Sequence, residues 1–155
     1  MPFDAPFMLG PFSVDAAGRL APSGPTATPA FLFRWRGGVV RARLDQPEPD
    51  RGRLTLRCVL GRIPSTADRA DGLRPQTFAA LHWLPRELPP RWTIGLLPDH
   101  RVSLEAQTEI VVPITASGLI AELAGFVLAL APYLELLEEL GVAPVPGSAA
   151  GTVKT

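Results

Sequence analysis

Two glycines inside an alternating run constrain this chain's fold more than any other feature. The segment from Phe31 to Leu44 reads FLFRWR-GG-VVRARL, two stretches of alternating side chains separated by Gly37 and Gly38. A Gly-Gly loop accepts the positive φ angles of type I′ or II′ turns, whose twist matches that of two antiparallel strands. The segment therefore predicts a hairpin with Gly37-Gly38 as its loop, in which Arg36 faces Val39 and Arg34 faces Arg41. Alternation puts Phe31, Phe33, Trp35, Val40, Ala42 and Leu44 on one face, and Leu32, Arg34, Arg36, Val39, Arg41 and Arg43 on the other. The run from Arg53 to Leu60 repeats the pattern, with Leu54, Leu56, Cys58 and Leu60 turned to the core and Arg53, Thr55 and Arg57 turned outward.

An arginine face of this kind is either a solvated surface, with long aliphatic stems lying over the backbone, or a docking surface for anions. Guanidinium forks hold carboxylates and phosphates through paired hydrogen bonds. Like charges directly opposed on a sheet are unfavourable unless solvent or an anion intervenes, so the placement of these arginines carries information. Their preference over lysine carries little: fourteen of the fifteen basic residues are Arg in a chain also rich in Ala, Gly and Pro, as a G+C-rich coding sequence would give. The expected partner-binding residues are Arg34, Arg36, Arg41, Arg43 and Arg57. The expected ligand is protein, because 15 basic residues balance 15 acidic ones and the hairpin's aromatic residues point to the core side. Nucleic-acid modules carry a basic excess and often stacking aromatics on the binding face.

At 155 residues and 46% hydrophobic content the chain suits a single domain with its own core. The one cysteine, Cys58, excludes an intrachain disulfide framework and a cysteine cluster for zinc. The start, MPFDAPFMLGPF, has no positive n-region and is broken by Pro2, Pro6 and Pro11, so it does not read as a secretory signal, and a cytoplasmic location is expected.

From Ser117 to Leu134, SGLIAELAGFVLALAPYL is apolar enough to raise the question of a membrane span. Glu122 lies inside it, Pro132 interrupts it, and the following ELLEEL is acidic where a basic flank would anchor a span. A buried soluble helix is the expectation, with Leu119, Leu123, Phe126, Leu130, Leu134 and Leu137 at three- and four-residue steps and Ile120, Val127 and Leu128 widening the stripe. So broad a stripe needs cover on more than one side, and a homodimer would supply it. Pro132 is expected to kink or divide the helix, and Thr115 or Ser117 to cap it.

Around these elements, Phe7 to Val14 and Arg19 to Ala21 read as strands about the turn Asp15 to Gly18, and Pro22 to Pro29 as a loop. Gly61 to Pro75 reads as a further loop. Gln76 to Leu84 reads as a short helix stopped by Pro85, with Phe78, Leu81 and either Trp83 or Leu84 buried. Trp92 to Leu97, Arg101 to Ala106 and Glu109 to Ile114 read as strands. The class is α+β: an antiparallel sheet in two hairpin or meander portions, one short central helix, and a long apolar C-terminal helix packed on the sheet or on a second copy. Residues 1–142 form the single domain, with 1–29 as an N-terminal β-arm and loop, and residues 143–155 are expected to be a flexible tail.

The order of a three-stranded meander, the VLGRIP loop, a short helix, a strand pair around LLPDHRVSLEA and a long helix entered through VVPITASGLIAEL resembles the type III secretion chaperone-like superfamily, of the CesT and YbjN kind. The resemblance spans about Phe31 to Leu140. It implies a small α+β protein, commonly homodimeric, that binds other polypeptides without performing chemistry.

A search for chemistry yields little. His82 on the short helix and His100 in a turn are isolated, and Cys58 alternates with core positions. Asp68 and Asp71, flanked by Arg69 and Arg74, fit surface ion pairs. No nucleophile elbow, phosphate loop or dinucleotide glycine fingerprint is present. The expectation is a non-enzymatic protein-binding or chaperone-like domain with no cofactor and no metal. The alternatives are a small enzyme or a nucleic-acid-binding module using the arginine face.

Overall fold

A computed structural model describes residues 7–24, 28–63 and 73–145 and gives the α+β architecture. The expectations for Pro2, Pro6, Pro64, Asp68, Asp71 and residues 146–155 lie outside the described residues. The strands are β1 (Phe7–Leu9), β2 (Phe12–Val14), β3 (Leu20–Pro22), β4 (Ala30–Trp35), β5 (Gly38–Glu48), β6 (Arg51–Arg62), β7 (Trp92–Leu96) and β8 (Arg101–Val111). Helix α1 (Leu73–Glu87) lies between β6 and β7, and α2 (Ala116–Glu139) follows β8. The first three strands form a small antiparallel sheet, and the rest form a five-stranded antiparallel sheet in the order β4-β5-β6-β8-β7.

The hairpin forms, but its loop is Arg36-Gly37 rather than Gly37-Gly38. Trp35 pairs with Gly38, Arg34 with Val39 and Leu32 with Arg41. Both loop residues have positive φ, 49° at Arg36 and 73° at Gly37, as a type I′ turn requires. Left-handed backbone at a non-glycine residue costs about 1–2 kcal/mol. Against that cost, Arg34 no longer opposes Arg41 across the hairpin. Moving the loop by one residue changes the pairing by two, an even step, so every strand residue keeps its expected face.

One face of the large sheet is core. Val40, Ala42, Leu44, Leu54, Leu56, Val102, Leu104 and Ala106 are buried there with Leu119, Phe126, Leu130 and Leu137 of α2. Trp92 on β7 packs its ring 5.2 Å from Phe126 and 6.1 Å from Tyr133. Helix α1 adds Ala80 and Leu84 to the buried set and Leu88 follows just after it, whereas Trp83 stays exposed. The small sheet contributes Phe12, Val14 and Leu20, with Phe12 meeting Phe31 edge to face at 6.0 Å.

Several elements depart from expectation for identifiable reasons. The stretch from Phe7 to Val14 is two strands, because Gly10, at φ 55°, and Pro11 turn the chain between them. The two strands expected between Arg101 and Ile114 are one, since β6 pairs continuously enough to carry β8 through Gln107 and Thr108. Neither proline ends its helix: Pro85 lies inside α1 and Pro132 inside a single 24-residue α2. Pro132 sits on the exposed side, as does Leu128 one turn before it, so water can reach the carbonyl that loses its helical donor. Thr115 is the N-cap, its side chain accepting from the Gly118 N–H at 3.0 Å.

Ala143, expected to open a flexible tail, is tied to the sheet. Gly141, at φ 98°, ends α2 with bonds from its own N–H to Glu138 and from the Val142 N–H to Leu137, a Schellman arrangement. Val142 is 2% exposed, and Ala143 exchanges two backbone hydrogen bonds with Arg62, at 2.8 and 2.9 Å. The chain passes so close to β6 at this point that a Cβ on Gly61 would lie 2.4 Å from the Ala143 carbonyl oxygen.

Candidate binding face of the large sheet

Among the described residues no helix side chain joins the core from the second face of the five-stranded sheet, which holds the arginines. Arg34 on β4, Arg41 and Arg43 on β5, and Arg53 and Arg57 on β6 all point to it: Arg34 is in register with Val39, Arg41 with Leu32 and Arg57, Arg43 with Thr55, and Arg53 with Asp45. Arg41 lies directly across from Arg57. The opposite half of the same face is acidic: Arg57 pairs in register with Glu105, and Arg53 with Glu109. The face is thus divided along β6 into a basic half and an acidic half.

Ion pairs join the two halves unevenly. Arg57 donates from Nε to Glu105 at 2.5 Å, and Arg43 from Nε to Asp45 at 3.0 Å. Glu109 is held by Arg91 at 3.3 Å. Arg34, Arg41 and Arg53 make no ion pair among the described residues. The Glu105 carboxyl is held below the ordinary glutamate range, first by the hydrogen bond from Arg57, with Gln107 and Arg43 adding to it and burial opposing.

Of the five arginines expected to bind a partner, four share this face and one does not. Arg36 sits in the turn, where its guanidinium stacks 4.9 Å from the Trp35 ring centre and reaches Glu135 of α2 at 3.8 Å. The altered loop is the cause, because a residue in the left-handed turn no longer follows the strand's alternation. Arg53 belongs to the cluster although the candidate set omitted it.

A groove of about 380 Å³ opens on the basic half, lined by Ala30, Leu32, Arg41, Arg43, Thr55 and Arg57. Thr55 is only 6% exposed, the deepest polar residue on this face. Its hydroxyl has no hydrogen-bond partner among the described residues, and no side-chain oxygen or nitrogen there is both sealed from solvent and unpaired. The Thr55 hydroxyl therefore remains reachable from the groove. Sequence alternation put Thr55 on this face; nothing local signalled that its neighbours would nearly enclose it.

The other candidate groups stay apart. His82 is exposed on α1 near Ile94 and Leu96, and His100 is half-buried in the β7–β8 turn at φ 67°. The Cys58 thiol, on the core side, is pushed up to about 12 by burial. Among the described residues no three His, Cys, Asp or Glu side chains are grouped to hold a metal ion. Helix α2 is long and apolar enough, by length and composition, to cross a membrane; its inward stripe is core, and Ile120 and Leu128 on its outward stripe are 63% and 74% exposed. No protein-family model, no curated protein and no solved structure matches the chain.

Proposed function

We propose that this is a cytoplasmic, non-enzymatic protein-binding domain of chaperone-like character, which takes acidic polypeptide segments on the basic half of its open sheet face. The observation that carries the reading is the gathering of Arg34, Arg41, Arg43, Arg53 and Arg57 on one face that no described helix covers, with Arg34 and Arg41 having no acid opposite them in register and no ion pair among the described residues. Unpaired guanidinium groups held side by side on a rigid sheet repel one another and are relieved by an incoming carboxylate. The adjoining acidic half, with Glu105 and Glu109, disfavours the continuous polyanion of a nucleic acid, which would have to cross it. The order of strands and helices from β4 to α2 supports kinship with type III secretion chaperone-like proteins of the CesT and YbjN kind. A second copy covering Ile120 and Leu128 of α2 completes the proposal as a homodimer.

The test replaces Arg34, Arg41 and Arg43 together with Gln and measures retention of an array of synthetic peptides rich in Glu or Asp, beside their Gln and Asn counterparts. The reading expects wild-type protein to prefer the acidic set and the triple variant to lose that preference with an unchanged circular dichroism spectrum. Equal retention of acidic and amide peptides by the wild type sinks it. Light scattering at micromolar concentration decides the dimer, for which a monomer mass is the contrary result.

A further inference from the structure

We infer that the groove around Thr55 is a carboxylate subsite, which receives a single glutamate or aspartate side chain of the partner polypeptide through the Thr55 hydroxyl and the Arg41 guanidinium. The inference rests on the acidic-partner reading of the arginine face and adds the point at which such a partner is anchored.

The electrostatics of the groove select among its arginines. Arg43 and Arg57 already hold Asp45 and Glu105, so of the three guanidinium groups lining the groove Arg41 alone lacks an acid among the described residues. It lies directly across from Arg57 on one side and from Leu32 on the other. The groove therefore carries one uncompensated positive charge beside a like charge, and a monoanion balances it. A phosphate dianion would bring a second negative charge close to Asp45 and Glu105, where it meets repulsion.

The floor supplies the complementary donor. A hydroxyl that is nearly enclosed, has no partner among the described residues and still opens to the groove can donate to a ligand oxygen. A carboxylate has two oxygens, one for the Thr55 hydroxyl and one for the fork of Arg41. Leu32, 56% exposed on the groove wall, offers an apolar surface to the methylene groups that carry the carboxylate.

The experiment is an NMR titration of the full chain with the blocked peptide Ac-LELEL-NH2, its Gln counterpart, a phosphoserine counterpart and inorganic phosphate, using wild type, Thr55→Val, Arg41→Gln and the off-face control Arg86→Gln. Valine keeps the branched shape that a strand favours, and the amide spectrum of each variant reports its fold. The glutamate peptide is expected to shift the Thr55 amide and the Arg41 side-chain signal. Thr55→Val and Arg41→Gln are each expected to weaken it about tenfold or more, as for a hydrogen bond to a charged group, and Arg86→Gln to leave it unchanged. If the peptide shifts Arg34 and Arg43 while Thr55→Val binds as well as wild type, the subsite is overturned and the acidic-partner reading stands. If glutamate and glutamine peptides act alike, or neither acts, both fall. If phosphate or the phosphoserine peptide binds more tightly than the glutamate peptide, the carboxylate assignment is overturned.

Discussion

Replacing Gly61 with Ala tests how firmly the end of the described chain is tied to the sheet. The added Cβ would stand 2.4 Å from the Ala143 carbonyl oxygen and 2.6 Å from Cγ1 of Val142, and the first neighbour is backbone that no rotamer change can move. Relief requires residues 142 and 143 to lift from β6. That breaks the two Arg62–Ala143 backbone hydrogen bonds, each worth about 1 kcal/mol net. It also exposes Val142, whose burial contributes about 1.5–3 kcal/mol. Against this, alanine restricts the unfolded chain and returns about 0.4–1 kcal/mol. The expected loss is about 3 kcal/mol, or roughly 10 °C in melting temperature for a domain of this size. Urea unfolding followed by tryptophan fluorescence measures it, and amide exchange at Arg62 should lose protection in the same variant. Gly95→Ala is the control, because its Cβ meets only the Ser103 hydroxyl at 3.6 Å, and a surface change of that kind stays within about 0.5 kcal/mol. A loss below about 1 kcal/mol for Gly61→Ala, or an equal loss for the control, would refute the reasoning.

Two further predictions concern ionisation and reactivity. Glu105 has its folded-state pKa depressed, first by the hydrogen bond from Arg57, so its contribution to stability is present above the ordinary glutamate range and is lost as pH falls through the folded value. The stability gap between wild type and Glu105→Gln, at most about 1 kcal/mol for so exposed a pair, should therefore be constant near neutrality and close in acid; a gap that widens in acid contradicts the assignment. Cys58, with its thiol pushed up to about 12, should resist Ellman's reagent at pH 8 in the native state and react fully in urea, and rapid native labelling would show that the thiol is not buried on the core side.

The faces of the central strands were legible because side-chain parity depends only on alternation. The hairpin register was not, since Gly-Gly and Arg-Gly both offer a glycine to a two-residue turn. The choice falls to cross-strand charge, which a reading of turn residues alone does not weigh. Parity survived the shift, and so Arg34, Arg41, Arg43 and Arg57 were placed correctly while Arg36, the residue that became turn, was not. The acidic half of the face was hidden for a different reason: Glu105 and Glu109 meet β6 only through pairing across α1 and β7, which local patterning does not encode. The same holds for Ala143 beside Arg62. Pro132 read as a break because its missing N–H was weighed without knowing that its side of α2 faces water.

The small N-terminal sheet and the start of the last helix are joined. Leu20 donates its N–H to the Ile114 carbonyl, Ala116 donates to Gly18, and Arg19 bridges Thr115, the residue that caps α2. Strand β3 therefore has no backbone partner on that side until the chain through the start of α2 has been made. Until then the small sheet, with Phe12, Val14 and Leu20, lacks the cover it receives from that side. The domain cannot be completed piecemeal from its beginning: closure comes late, as a long-range event that slows folding and leaves sticky surface exposed in the interval.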